Sequence, residues 1–551
     1  MVWERLLGSS RSLAIYSSAS TGPVIVVTTD DRHAQLIEME LRFYADSAEP
    51  TAIHHFPDWE CLPYDNFSPH QDIISQRLRI LRELPSLNRG IVVLAVTNLM
   101  QRLPPLDYVL AHTFAVATGD IVRPHELRLR LEQSAYYPVS QVQAPGEFAV
   151  RGGVIDIFAS GSNQPFRLDL FDDRVESINY FDPETQRSID TVSQIELLPA
   201  REFPTHSDAI RDFRTRFRRR FDGDPRKQRI YKSVSDGHLP AGVEFYLPLF
   251  FDTTATLFDY VPKSSVFIIE GDVTGAASKY ESQVVERYES AQLERENAVL
   301  SPPELYLSGC DLTARLQSWR RILIAPGKVD NITPQTFATS LAPNLVADAK
   351  SNSPYEKLVA YLADTPNRVL LAAETTGRRE VLQSVLHEHG FDPQPCTSWR
   401  EFLLQNLSFA VTVAELERGA VLANPAVAVI AENEVYGEQV YQRRRRRASR
   451  VDPEAVIRSL AELNPADPVV HAIHGVGRYV GLQTLDIEGE PTEFLTLEYQ
   501  GKDKLYVPVL SLHLIGRYIG VDPEHAPLHK LGTDTWAKAS RRAREKAYDV
   551  A

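Results

Sequence analysis

Gly146-Glu-Phe-Ala-Val-Arg-Gly-Gly-Val-Ile-Asp-Ile-Phe158, followed by Arg167-Leu-Asp-Leu-Phe-Asp-Asp173, sets the reading of the front of the chain. Its apolar runs are short. They are separated by Gly152-Gly153, Gly161-Ser162-Asn163 and Asp172-Asp173, residues that form turns rather than helices. Phe148–Phe158, Phe166–Phe171 and, just beyond, Val175–Tyr180 therefore read as strand candidates, and residues 116–198 as a strand-rich block. Side chains alternate along a strand, so Arg167 and Phe171 fall on one face.

The pattern on either side is different. Val24–Val27 and Ile91–Val96 have the length and apolarity of buried strands. His33–Tyr44, with Leu36, Met39, Leu41 and Tyr44, and Ile73–Leu84, with Ile74, Leu78 and Leu81, carry helical spacing. Alternating strands and helices predict a parallel α/β layer over 1–115, interrupted by the strand-rich block and resumed over 199–318, where a basic stretch runs from Arg211 to Arg220. Residues 319–440 read as a second α/β domain: strands at Arg321–Ala325, Arg368–Ala373 and Ala426–Ile430, helices at Tyr355–Leu362 and Gly377–His389. Five consecutive arginines, Arg443, Arg444, Arg445, Arg446 and Arg447, repel one another and mark 441–464 as a linker, either a solvated tether or a strap for phosphates or an acidic surface. In 465–530, Phe494–Tyr499, the turn Gln500–Asp503 and Lys504–Val507 form a hairpin pattern, and the block suits a small β-barrel. Residues 531–551 begin a helix with Trp536, Ala539, Ala543, Ala547 and Val550 along one stripe, and the lack of a Gly or Pro stop predicts a longer polypeptide. The fold class expected is multidomain α/β with a strand-rich insertion and a small barrel.

Composition narrows the chemistry. The 551 residues are 43% hydrophobic and 24% charged, ordinary values for a globular protein, and the net charge of −14 disfavours wholesale coating of nucleic acid. Cys61, Cys310 and Cys396 form no close pair, so neither a zinc site nor a disulfide framework is expected; with no signal peptide or membrane-length apolar run, a cytoplasmic location is. A phosphate loop needs GxxxxGK[ST], and neither Gly327-Lys328 nor Gly501-Lys502 fits. Gly8-Ser-Ser-Arg11, before the Val24 strand, has no such loop. Gly475, Gly477 and Gly481 miss the dinucleotide spacing by one residue, His471 and His474 lack a completing carboxylate, and no GxSxG elbow exists. No catalytic residue, metal or cofactor is expected in these residues.

Three ordered blocks carry a resemblance. Phe56-Pro-Asp-Trp-Glu-Cys-Leu-Pro-Tyr-Asp65 with Phe67–Ser75, the block from Gly146 to Asp173, and His474-Gly-Val-Gly-Arg-Tyr479 with Lys504–Pro508 and Ser511–Ile515 resemble bacterial transcription-repair coupling factors. The likeness runs through essentially the whole chain and is weakest over 320–440. It implies a UvrB-like front domain that has lost its ATP site, a UvrA-binding insertion, a domain of undefined role, a basic linker and an SH3/Tudor-like barrel that binds RNA polymerase. The family's double-stranded-DNA translocase, with its ATP and Mg²⁺, is expected beyond Ala551. UvrB, which shares the Arg-Gly-x-x-x-Asp-Ile block, is the competing reading, but it would carry a phosphate loop and an aromatic hairpin and no polymerase-binding barrel. By the same resemblance, Arg151, Arg167 and Phe171 are expected to contact UvrA, and Leu485, with Arg478 and Tyr479 secondary, the RNA polymerase β subunit. Paired arginines beside an aromatic suit such an interface, although Phe171 could instead be a core residue and Arg151 a plain surface charge. Leu485 could likewise belong to the barrel's core.

Overall fold

Pro23–Thr28 and Gly90–Ala95 are buried at every position. Strands of that kind need cover on both faces, and they lie together inside a wholly parallel seven-stranded sheet. Its order is Gln335–Thr336, Val2–Glu4, Arg320–Ala325, Val266–Glu270, Pro23–Thr28, Gly90–Ala95, Ala52–Phe56. The computed structural model describes residues 1–45, 51–183, 185–293, 298–325, 333–347, 353–437, 468–471, 475–487, 490–508, 515–517, 528 and 530, in two units, Met1–Gln439 and Val440–Ala551. Among them no helix is long and apolar enough to cross a membrane.

Helices cover both faces of this sheet. Asp31–Tyr44 buries Ala34, Ile37 and Leu41 against Val24, Val26, Ile91 and Val93. Leu36 and Met39, expected on that face, are only half-buried. The helix is rotated so that Glu40 turns inward, where Ser12 Oγ donates to it at 2.6 Å and Arg11 lies 3.5 Å away. A satisfied buried carboxylate is invisible to a reading that equates polarity with exposure. On the opposite face, Gln71–Glu83 buries Ile74, Leu78 and Leu81 as their spacing predicts.

The strand Arg320–Ala325 corrects one assignment. It was expected to open the second α/β domain, but it pairs in parallel with Val266–Glu270 on one side and Val2–Glu4 on the other. Parallel pairing needs a crossover and no sequence adjacency, so a strand's sheet cannot be read from its neighbours.

The insertion forms a six-stranded sheet in the order Ser188–Val192, Arg174–Phe181, Phe166–Phe171, Val154–Ile157, Glu147–Arg151, Tyr137–Pro138. Phe114–Ala117 pairs antiparallel with Gln194–Leu197, so the chain enters and leaves the insertion side by side. One face carries the core of Phe148, Ile155, Ile157, Phe166, Leu168 and Ile178. A second sheet, Thr339–Leu341, Ala420–Ala423, Ala426–Ala431, Arg368–Ala373, Phe409–Val413, Gln394–Pro395, is parallel through its last four strands and antiparallel at the other edge.

The second unit holds a five-stranded antiparallel sheet in the order Lys504–Pro508, Glu490–Glu498, Gly475–Ile487, Pro468–His471, Ile515–Arg517. The expected hairpin is present, with Leu497 and Tyr499 buried. Pairing of the two long strands extends to Ile487 opposite Glu490. The arginine run 443–447 and the helix expected over 531–551 lie outside the described residues.

Candidate functional site

The face of the insertion opposite its core is polar and ordered by register. Ala149, Asp156 and Arg167 lie abreast on three adjacent strands, and Arg151 pairs with Val154 across the Gly152-Gly153 turn. Gly152 has φ of +62°, and a Cβ on Gly153 would meet the Leu170 carbonyl oxygen at 2.8 Å. Alternation then puts Arg151, Asp156, Arg167, Asp169 and Phe171 on this face.

Asp156 organises it. Its side chain is wholly buried although it sits outside the apolar core, because two arginines cover it. Arg151 Nη2 donates to Oδ2 at 2.6 Å, and Arg167 Nε and Nη2 donate to Oδ1 and Oδ2 at 2.7 and 2.9 Å. Arg167 Nη1 also donates to the Gln186 carbonyl at 2.9 Å, and the guanidinium lies over the Phe181 ring at 4.7 Å. The hydrogen bond to Asp156 holds Arg167 more firmly protonated than usual. The two guanidiniums are held by Asp156, with Asp169 also acting on Arg167, so the face is charge-paired and its geometry is set in advance. Fixed donors lose little rotamer freedom on binding an acidic group.

Phe171 ends its strand at the rim, 67% exposed, and Arg151 is exposed beside the same hairpins. The possibility that Phe171 packs inward is excluded; the inward residues of its strand are Phe166 and Leu168. Asp169 continues the polar face, accepting from Ser177 Oγ at 2.8 Å and Asn179 Nδ2 at 3.2 Å. Sequence reasoning passed over Asp156. Its signal was an acid between Ile155 and Ile157, five residues after an arginine and across a Gly-Gly turn.

In the second unit, Leu485 lies within a paired strand, opposite Thr492. The strand Gly475–Ile487 pairs with Pro468–His471 only through Arg478. Among the described residues, no strand occupies its other edge from Gly481 onward. Arg478 is half-buried, and Tyr479 is buried, 9% exposed. Tyr479 therefore serves the sheet's interior and offers a partner little area.

The parallel sheet of the first unit has more than one strand-to-helix turn. A phosphate loop follows a strand, at the carboxyl edge where helix N-termini converge. Gly8–Arg11 lies at such a turn, between the sheet strand Val2–Glu4 and the helix Ser10–Ser18, where Ser9 N donates to the Arg418 carbonyl at 3.2 Å and a Cβ on Gly8 would overlap the Gly419 carbonyl oxygen; Thr28–Asp31 is the next such turn. There Asp30 Oδ1 accepts from His33 N at 2.9 Å, and Asp31 Oδ1 accepts from Asp58 N at 3.1 Å with His55 Nε2 at 2.9 Å. Asp30 thereby caps the N-terminus of the helix Asp31–Tyr44.

Three family models match the chain: the UvrB interaction domain over residues 114–203, the D3 domain of MFD over 361–435, and the CarD-like/TRCF RID domain over 463–519. The transcription-repair-coupling factor of Haemophilus influenzae is 40% identical over 99% of this chain and 48% of its own length. That of Escherichia coli is 36% identical over 100% of the chain and 48% of its own length, and that of Bacillus subtilis 26% over 99% and 47%. The chain spans about half the length of the curated relatives it matches, and by this end-to-end similarity and three domain matches in order it belongs to the transcription-repair-coupling-factor family.

Proposed function

We propose that the chain is the recruiting part of a transcription-repair coupling factor, binding RNA polymerase through its C-terminal sheet and UvrA through the insertion. One observation carries the reading: a UvrB interaction domain and a CarD-like/TRCF RID domain occur in a single chain whose relatives are transcription-repair-coupling factors. The physical surfaces agree with it. A pre-ordered, charge-paired face with an exposed aromatic rim suits a protein interface whose centre is desolvated on binding. A strand edge near Leu485 with no neighbour among the described residues suits extension of a partner's sheet by backbone hydrogen bonds, with an apolar side chain setting register. In this reading the polymerase β subunit supplies that edge, and the protein acts in the cytoplasm. ATP, Mg²⁺ and most double-stranded-DNA contact belong to a translocase segment of the parent protein, and these residues do no catalysis.

Pull-downs on immobilised chain test both contacts. Leu485→Arg is expected to abolish polymerase capture while UvrA capture persists. Arg151→Glu with Phe171→Ala is expected to do the reverse. Undiminished capture by either variant removes that assignment, and ATP turnover by the purified chain removes the non-enzymatic part.

A further inference from the structure

Ser207–Ser235 contains ten basic and four acidic residues, within a chain whose net charge is −14. Three of the arginines are tied to carboxylates: Arg216 to Asp252 at 2.5 Å, Arg220 to Glu304 at 2.6 Å and Arg211 to Asp208 at 3.0 Å. Arg214 and Arg218 are placed differently. They lie one turn apart on the helix Ser207–Arg220, and both lie near the phenol oxygen of Tyr231 in the helix Arg229–Ser235. Arg218 Nε donates to it at 2.7 Å and its guanidinium lies 5.6 Å from the ring centroid, while Arg214 stands near the same oxygen. Neither guanidinium has a carboxylate partner among the described residues. Tyr231 is 5% exposed and packs on Phe217, with ring centroids 5.1 Å apart, so the phenol beside these arginines is held by the core.

Two like charges one turn apart beside an uncharged phenol repel each other, and an anion bridging them relieves that repulsion. The surroundings extend the positive field, since Arg219, Arg229 and Lys232 are exposed on the same two helices. We propose that this surface, centred on Arg214, Arg218 and Tyr231, grips the phosphate backbone of double-stranded DNA.

The spacing favours a nucleic acid over an acidic protein. Arg214 and Arg218 are about 6 Å apart along the helix axis at 1.5 Å per residue. A duplex carries one phosphate per about 1.7 Å of its length, so cations at that interval find partners in any register. An acidic protein would have to match the interval with a particular pair of carboxylates. Guanidinium, which pairs with phosphate oxygens bidentately, is the group present. Apart from Arg443–Arg447, the rest of the chain is acidic overall and disfavours contact with DNA, which favours approach to this face.

The test uses the full chain and a fluorescein-labelled duplex, with anisotropy titrations over a range of salt. Arg214→Gln with Arg218→Gln is expected to lower the slope of log affinity against log salt by about 1.8, at about 0.9 for each phosphate no longer neutralised. Over a fourfold rise in salt the parent chain then loses about tenfold more affinity than the variant. Arg214→Lys with Arg218→Lys keeps the charges and is expected to keep most of the slope. An unchanged slope in the Gln variant overturns the proposal, as does a Lys variant that loses as much as the Gln variant while circular dichroism shows both folded. Competition by poly-glutamate equal to that by unlabelled duplex also overturns it, and points to an acidic protein instead.

Discussion

Removing Glu202 should loosen the join between the insertion and the parallel layer. Arg77, on the helix Gln71–Glu83, is 0% exposed, and Glu202, just after the insertion's last strand, is 1% exposed. Arg77 Nε donates to Glu202 Oε1 at 2.6 Å. The rest of the guanidinium donates to Pro57 O at 2.9 Å, Gln101 Oε1 at 2.8 Å and Asn98 Oδ1 at 3.3 Å, and lies over the Phe56 ring at 4.4 Å. Every acceptor except Glu202 is neutral, so Glu202→Ala leaves a buried, uncompensated cation. Unit charges about 4 Å apart attract by about 4 kcal/mol at an effective dielectric near 20. Breaking a buried pair from one side costs about 3–5 kcal/mol, which agrees. Glu202 Oε2 has no hydrogen-bond partner, so the intact pair already carries some desolvation cost. Replacing both partners, as in Arg77→Met with Glu202→Leu, should therefore recover most of the loss. Several domains rule out a single two-state unfolding energy, so the readout is hydrogen exchange, resolved by segment. Opening over Gln71–Glu83 and Gln194–Leu197 should rise by about two to three powers of ten in Glu202→Ala, at about 1.4 kcal/mol each, and return toward the parent in the double variant. Unchanged exchange in the single variant, or a double variant as loose as the single one, refutes the reasoning.

Phe171→Ala removes an exposed ring, so its melting temperature should match the parent's while UvrA affinity falls by about 2 kcal/mol or more, as for a truncated interface anchor. A large fall in melting temperature would contradict the exposed placement. Asp156→Asn should weaken UvrA binding with both arginines still present, because their orientation is lost; Asn in place of the carboxylate with full affinity retained would show that orientation is unimportant. His112 is held below its ordinary value of 6.5, chiefly by burial; its hydrogen bond to the Tyr108 carbonyl opposes that effect, and the neighbouring His206 adds to it. The unfolded imidazole then binds protons that the folded one refuses, so stability present above pH 6.5 is lost as pH falls below it. His112→Gln should flatten that part of the pH–melting profile, and an unaltered slope would assign it to other groups.

Much of the molecule is legible in local pattern. Val24–Val27 and Ile91–Val96 could be little else than buried strands, and only the end of the latter shifts, Val96 opening the short helix Val96–Met100. Ile74, Leu78 and Leu81 face the core as their spacing requires. Local pattern fails where a partner is distant in the chain. A stripe through Met39 rather than Ala34 and Ile37 leaves Glu40 on the wet side, yet Arg11 and Ser12 satisfy that carboxylate in the interior. Tyr479 suits a contact by residue type, since aromatics favour interfaces, and the sheet uses it as core.

The candidate site divides in the same way. Resemblance pointed to Arg151, Arg167 and Phe171, and strand alternation alone put Arg167 and Phe171 on one face. Asp156, which joins the two arginines, could not be found that way, since its burial depends on side chains from two neighbouring strands. Arg214 and Arg218 read only as part of a basic stretch until a second helix brings Tyr231 against Arg218.

By itself the sequence determined the elements, the turns, the missing phosphate loop and the family, because each depends on residues close together or on an ordered string of them. Only the tertiary structure decided which sheet Arg320–Ala325 joins, which acids are buried and which arginines converge. Those outcomes depend on desolvation and on partners tens to hundreds of residues away, whose position no local periodicity encodes.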